Sequence, residues 1–409
     1  MTWRMRRGAS ALAAAGAAFG CLCVMGTAWG QQIKATQTDP KTVLVGAPGK
    51  FETTVTMANG FGETWYDLAH DPEKKRSLGR PQGGTGGLLW TKLYVGDDEK
   101  RGGGTNPPKT LELLEAGPVR ARVRIAGVFN RRGMGVPAED LNEIGFEQTF
   151  TMYPTGQVYV DYGLIAREAD VKLYRIELIL RPTGAWGKSG KGKGADEVHC
   201  AGEAGPAKPG GKAASGFALE WSDGPTYFQD ILMVMYKGKY SGSYWNEGYE
   251  ANDLRAGLDV LKYLPDRTLR KGTARLYVMM CFRDDINSPE TAKLYAEAYR
   301  SPDKPAVTRG TADTTDAGDT DQDGFNEAEG CYVLKAAADG VEFVLHGKPV
   351  PRMGPAFKVK GWTGAVAKVT LAGKALAQGK DFNASVVDGT LLLQLLAPVK
   401  DDVQVTLGR

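Results

Sequence analysis

The stretch P-V-R-A-R-V-R-I-A-G-V-F, Pro118 to Phe129, constrains the fold of this chain more than any other. Val119, Ala121, Val123, Ile125, Gly127 and Phe129 share one side of an extended backbone, and Arg120, Arg122 and Arg124 share the other. A helix would scatter these residues around its axis. A strand sorts them, because successive side chains point to opposite sides of the pleat. The following G-F-E-Q-T-F-T-M-Y-P-T-G-Q-V-Y-V-D-Y-G-L-I sets two long strand patterns either side of Pro154-Thr155-Gly156, and Gly156 supplies the positive φ of a short hairpin loop. Lys172 to Arg181 alternates again, and further strands are predicted at 51–57, 87–95, 226–236 and 273–283. Long strands joined by short turns predict an all-β chain built on a large antiparallel β-sandwich.

Helix signals are few. Ser288 caps a predicted helix, Pro289 opens it, Ala292, Tyr295, Ala298 and Tyr299 repeat at helical spacing, and Pro302 stops it. A second short helix is expected from Asp253 to Tyr263. The Gly/Lys/Ala-rich segment from Thr183 to Gly216 reads as a mobile insertion, and its Gly-Lys repeats lack the spacing of a phosphate loop.

The N-terminal residues bear on the compartment. Arg4, Arg6 and Arg7 precede an apolar Ala/Gly-rich run to about Met25, and Ala28-Trp29-Gly30 follows, so residues 1–30 are expected to be a cleaved secretory signal. Without its three arginines the remainder carries 48 basic and 48 acidic residues, which gives no global pull toward nucleic acid or a membrane surface. No later stretch is apolar enough to span a membrane. Cys200, Cys281 and Cys331 remain, too few and too widely spaced for a disulfide framework or a zinc knuckle.

The predicted order is a large sandwich over 31–300, a linker over 301–330 and a small β module over 331–409. The module reads as short strands with turn signals at Asp339-Gly340 and Asp388-Gly389, which predicts an immunoglobulin-like (Ig-like) sandwich. Its Val369–Phe382 segment is similar to small β modules appended to secreted carbohydrate-active enzymes.

The linker holds G-D-T-D-Q-D-G-F-N-E-A-E-G, Gly318 to Gly330. Counting Asp319 as one, Asp321 is three, Asp323 five, Gly324 six, Phe325 seven and Glu327 nine. Alternating carboxylates, a glycine turn and the Phe325 carbonyl are what a calcium ion, which takes six to eight oxygens, requires. Gly330 stands where an EF-hand has its bidentate glutamate, and Glu329 is one residue early. The loop therefore resembles those of dockerin and thrombospondin-type repeats. It predicts one structural calcium at the junction of the two domains, with Asp319, Asp321, Asp323, Phe325, Glu327 and Glu329 as ligands; the alternative is a solvated acidic turn.

Catalytic motifs are absent: neither H-E-x-x-H nor G-x-S-x-G occurs, and only His70, His199 and His346 are present. His70 lies in G-F-G-E-T-W-Y-D-L-A-H-D-P-E-K-K-R, where Trp65 and Asp67 are candidates for sugar contact and His70, Arg76 and Tyr66 for proton transfer and carboxylate neutralisation. A second aromatic cluster, Tyr244, Trp245 and Glu247, offers a stacking platform and a hydroxyl acceptor. Glu247 and Glu250 are the carboxylate pair a glycosidase would need. For each cluster the alternative is a buried tryptophan beside a polar turn.

The phrases G-E-T-W-Y-D-L, L-L-W-T-K-L-Y, A-G-P-V-R-A-R-V and F-E-Q-T-F-T-M-Y-P-T-G-Q-V-Y-V-D-Y resemble the galactose-mutarotase-like supersandwich over about residues 40–300. That resemblance implies a sheet whose concave face handles sugars, as in domains of polysaccharide lyases and glycoside hydrolases. It carries over no catalytic residue by motif. Three readings stay open: a secreted carbohydrate-binding or accessory protein acting on extracellular polysaccharide, a lyase cleaving an acidic glycan by β-elimination, and a structural cell-surface protein that binds another protein.

Overall fold

The computed structural model describes residues 32–75, 77–79, 87–96, 103–105, 108–133, 136–180, 197–200, 216–220, 230–235, 243–245, 256–259, 265–283, 285–286, 289–366 and 368–409. The expected signal, Arg76, Glu247, Glu250 and Ser288 lie outside the described residues, as does most of the expected insertion. The architecture is an all-β sandwich. A four-stranded antiparallel sheet, from Lys34–Asp39 to Gly60–Asp67, packs on a 14-stranded antiparallel sheet. No helix among the described residues is long and apolar enough to cross a membrane.

The alternation at Pro118–Phe129 does what its pattern requires. Strand Ala121–Gly133 turns Ala121, Val123, Ile125 and Phe129 into the core, each fully buried. Its neighbours Val136–Met152 and Gln157–Ala166 pair across the predicted hairpin, and Gly156 takes φ +86° where a Cβ would meet the Phe282 carbonyl at 2.2 Å. Gln157–Ala166 then pairs with Gly272–Arg283.

Side chains of these two central strands divide between two cores. Val158, Val160, Tyr162 and Leu164, with Leu276, Val278, Met280 and Phe282, face the four-stranded sheet. Tyr159, Met279 and Cys281 face the other way, into a second core made with helix Pro289–Arg300 and the small module. That helix follows the predicted punctuation and buries Ala292, Tyr295, Ala296 and Tyr299. Cys281 and Cys331 are both buried free thiols.

Three expectations are corrected. Ala256–Asp259, inside the expected 253–263 helix, is a strand paired with the end of Val171–Leu180. An available strand edge offers these residues a ladder, which outweighs weak helical spacing. His199 sits in strand Glu197–Cys200, paired with Gly216–Glu220, rather than in irregular chain. The expected linker is also built into the small module: Ala306–Arg309 pairs with Gly340–Leu345, while Thr311–Ala312 and Phe325–Asn326 pair with Cys331–Lys335.

The small module is a sandwich of five- and six-stranded sheets. Asp388-Gly389 makes the predicted tight hairpin, with φ of 48° and 72°. Asp339-Gly340 instead carries the chain from one sheet to the other, because Cys331–Lys335 pairs in parallel with Ala356–Lys360.

Candidate functional site

Three clusters of polar residues stand out, the first on one side of the large sheet and the other two on the opposite side, where Tyr277 of the second feels the charge of Glu327 in the third. The first is the segment around His70. Trp65 is fully buried, stacked between Phe51 at 4.7 Å and Phe282 at 3.8 Å between ring centroids. The expected role as a sugar platform is therefore corrected: its face is spent on core stacking, at about 0.5–1.5 kcal/mol per aromatic pair. Asp67, on the same side of strand Gly60–Asp67, is also buried, and accepts from the Ala69 amide at 3.0 Å and from His70 Nδ1 at 2.6 Å. A sugar hydroxyl has no direct approach to it. Tyr66 points to the other side, half-buried, opposite Glu52. Donation by Nδ1–H to a buried carboxylate orients the imidazole and makes Nε2 its basic nitrogen. Tyr244 and Trp245 belong to strand Ser243–Trp245 at the far end of the large sheet's strand order, so the two expected aromatic clusters are on different elements.

The second cluster is the outer face of the large sheet. Strand register sets Glu112, Arg124, Thr149, Asp161 and Tyr277 side by side in one row, and Glu147, Gly163 and Arg275 in the next. Arg275 Nη1 donates to both Asp161 oxygens at 2.6 and 2.7 Å, Arg275 Nη2 lies 3.6 Å from Glu147, and Arg124 pairs with Glu112. Burial raises the Asp161 carboxyl above its ordinary range, against the opposing pull of Arg275. Burial, with Asp161 alongside, pushes the Tyr277 hydroxyl up to about 12. Tyr277 is thus a neutral donor at physiological pH. This face is on the opposite side of the sheet from His70: Phe282, which stacks on Trp65, points away from Tyr277, Met279 and Cys281.

The third cluster is the acidic loop. Asp319, Asp321, Asp323 and Glu327 each bring one carboxylate oxygen within 4.8 Å of the others. Asp319 accepts from the Gln322, Asp323 and Gly324 amides at 2.7, 3.2 and 2.8 Å, Asp323 from Phe325 N at 2.8 Å, and Glu327 from Thr320 N at 2.8 Å. Gln322 at φ +62° and Gly324 at φ +90° make the sharp turn. Opposite ligands on a calcium ion stand about 4.8 Å apart at Ca–O distances of about 2.4 Å, so this hard-oxygen set fits that ion. The Phe325 ring packs on Tyr332 at 5.1 Å.

Glu329 lies elsewhere, which corrects its place among the expected ligands. It accepts from buried Arg120 Nη1 at 2.7 Å and lies 3.4 Å from Arg122 and 3.2 Å from Lys358. Burial raises its carboxyl, but Arg120, Arg122 and Lys358 outweigh that and hold it at about 2. The pair ties the large sheet to the small module. Around it, Tyr153 Oη donates to the Glu329 carbonyl at 2.9 Å, and Gly330 sits on the Tyr159 ring, where a Cβ would come within 2.2 Å. Lys358 and Lys360 continue the network to Asp316 at 3.3 and 2.7 Å, and Lys360 and Lys335 reach Asp313 at 2.8 and 3.1 Å.

The sequence pointed to the arginine face of strand Ala121–Gly133 but missed Glu147, Asp161, Arg275 and Tyr277. Their signal was present, as polar residues at alternate positions of V-Y-V-D-Y and A-R-L-Y-V. Their adjacency depends on strand order.

No family model and no curated protein sequence matches the chain. Among solved structures it is similar to a candidate aldose 1-epimerase from Klebsiella pneumoniae, at 6% identity and TM-score 0.37, over 64% of this chain and 84% of that one. It is also similar to a heparan sulfate lyase from Pedobacter heparinus, at 8% identity and TM-score 0.32, over 61% and 36%. A third is an alpha-mannosidase from Enterococcus faecalis, at 8% identity and TM-score 0.32, over 92% and 42%. TM-scores below 0.5 do not define a shared fold.

Proposed function

We propose that the chain is an exported carbohydrate-binding protein whose ligand, an extracellular polysaccharide, lies across the part-exposed charged row of the large sheet's outer face. The observation that carries this is the row Arg124, Thr149, Asp161 and Tyr277 with Arg275 beside it: charged donors, an acceptor and a neutral phenol on one rigid sheet surface. Sugars are bound by such paired donors and acceptors with an aromatic edge or face nearby. The acidic loop holds one calcium ion, ligated by Asp319, Asp321, Asp323 and Glu327 with the Phe325 carbonyl. Bringing four carboxylates together is costly without a cation, and a divalent ion offsets that repulsion. Its role is structural, since the loop belongs to the module that closes over part of the sheet.

A second reading, a lyase acting by β-elimination, draws on the His70–Asp67 pair. That geometry supplies an oriented base, but on the side of the sheet away from the polar face. One experiment separates the readings. Purified protein is incubated with a polysaccharide panel, following binding and the ultraviolet absorbance of unsaturated uronates. Binding without absorbance is the expected result. Rising absorbance that His70→Ala abolishes selects the lyase, and no interaction with any glycan favours a protein-binding role.

A further inference from the structure

A cavity of about 30 Å³ lies where three parts of the fold meet. Gln157, Tyr159 and Met279 line it from the large sheet, Tyr295 and Tyr299 from the helix, and Tyr332, Arg352 and Met353 are among the module's residues in its wall. No Asp or Glu is in that wall.

Arg352 is only 7% exposed. Its Nε donates to the His346 carbonyl and its Nη1 to the Ser301 carbonyl, both at 2.9 Å. A guanidinium has five N–H donors, so three remain, and among the described residues none of them meets an acceptor. Nor does a described carboxylate lie within ion-pairing distance. The nearby Asp303 instead accepts from the His346 amide at 3.0 Å. A buried charge in this state is costly unless something neutralises it.

The other polar groups of the wall are also donors. Gln157 Nε2 gives its protons to Tyr159 Oη at 3.1 Å and to the Met353 carbonyl at 2.8 Å. Tyr159 Oη therefore accepts from Gln157 and keeps its own proton to donate. Burial pushes the Tyr159 hydroxyl well above its ordinary value, which keeps it a neutral O–H donor.

We infer that this cavity is an anion site, and that its ligand is a small monovalent ion of the halide class held by Arg352 and Tyr159. Its volume takes one or two water-sized groups. A small spherical ion fits that space most simply, and a bulky carboxylate is the comparison in the test. Because the wall comes from three elements, the ion stabilises the docked arrangement and couples halide concentration to the seam between sheet and module.

The test uses the full chain with calcium supplied as gluconate and ionic strength held constant with sodium gluconate, whose anion is a bulky carboxylate rather than a small spherical ion. Replacing gluconate stepwise by chloride, then by bromide, should raise the Tm saturably, by roughly 2–6 °C at saturation. Arg352→Gln should lose that increment. Tyr159→Phe, which keeps the ring and removes the donor, should weaken the apparent affinity several-fold and covers the case in which Arg352→Gln does not fold. Equal Tm in chloride and gluconate, as a cavity holding water alone would give, overturns the proposal. So does a halide increment that Tyr159→Phe leaves unchanged.

Discussion

The outer face of the large sheet has two ends, and two neighbouring rows of side chains separate them. In the row of Arg122, Thr151, Tyr159 and Met279 the face is sealed beneath the helix and the small module. One step along each strand, in the row of Arg124, Thr149, Asp161 and Tyr277, Tyr277 still packs against that second core and Thr149 is buried, while Arg124 and the neighbouring Arg275 reach solvent. Both rows alternate with the same apolar residues of the inner core. The difference comes from what lands on them. Gly330 and Glu329 fit onto Tyr159 and Arg120, and the acidic loop positions both. One sheet face is thereby divided into a buried structural end and an end whose Arg124 and Arg275 side chains reach solvent.

The largest effect should come from breaking the sealed end. Glu329→Ala leaves buried Arg120 with Glu115, 3.0 Å from its Nε, as its remaining carboxylate among the described residues. Breaking a buried pair from one side costs about 3–5 kcal/mol, which urea denaturation of the variant would read directly. Gly330→Ala should come next. It places a Cβ against the Tyr159 ring and asks a non-glycine residue to hold φ +66°, a combined cost of about 2–3 kcal/mol by the same measurement.

Acid should loosen the same end by another route. Burial raises the Asp313 carboxyl, but Lys360, Thr315 and Lys335 outweigh it and hold it well below its ordinary 3.8. A depressed carboxylate contributes stability that is present in full above the ordinary value and is lost as pH falls below about 4. Asp313→Asn should flatten that acid limb of a stability–pH curve and leave the neutral limb parallel to wild type.

The calcium site gives a conditional effect. At 100 times its Kd, calcium should stabilise the wild type by about 2.7 kcal/mol. Glu327→Gln should lose most of that gain while its metal-free stability stays level or rises, since one of four crowded charges is gone. Calorimetric titration that finds no calcium uptake by the wild type would remove the ion from the account of the seam.

How much of this was legible in the sequence follows from what each feature depends on. Alternation at Pro118–Phe129 depends on neighbours in the chain, and the strand and its buried face were readable. So were helix Pro289–Arg300, the Gly156 turn and the spacing of the acidic loop. Arg120 belongs to the same polar stripe as Arg122 and Arg124, yet it is almost fully buried, because its partner is more than 200 residues away. Trp65 invited a surface role by its polar neighbours, but strand alternation sends it inward. The pairs Asp161–Arg275 and Arg120–Glu329, and the wall around Arg352, are all products of strand order. No local pattern encodes strand order.

The smallest effect on stability should come from the open end, and it carries the most information about function. Asp161→Asn keeps the shape of the side chain and an acceptor for Arg275, so its cost should stay within about 0.5–1 kcal/mol. Its effect on a bound sugar should be larger. A carboxylate that accepts from a hydroxyl is a charge-assisted partner, and the amide is not, so about tenfold in affinity is expected, equivalent to about 1.4 kcal/mol. Asp170→Asn is the control, because Asp170 forms a comparable exposed pair with Arg270 at 2.6 Å, outside both rows. If glycan affinity falls only in Asp161→Asn, the part-exposed row is the binding surface. If the two variants bind alike, the polar row is a solvated sheet face, and the difference between the sealed and open ends concerns stability alone.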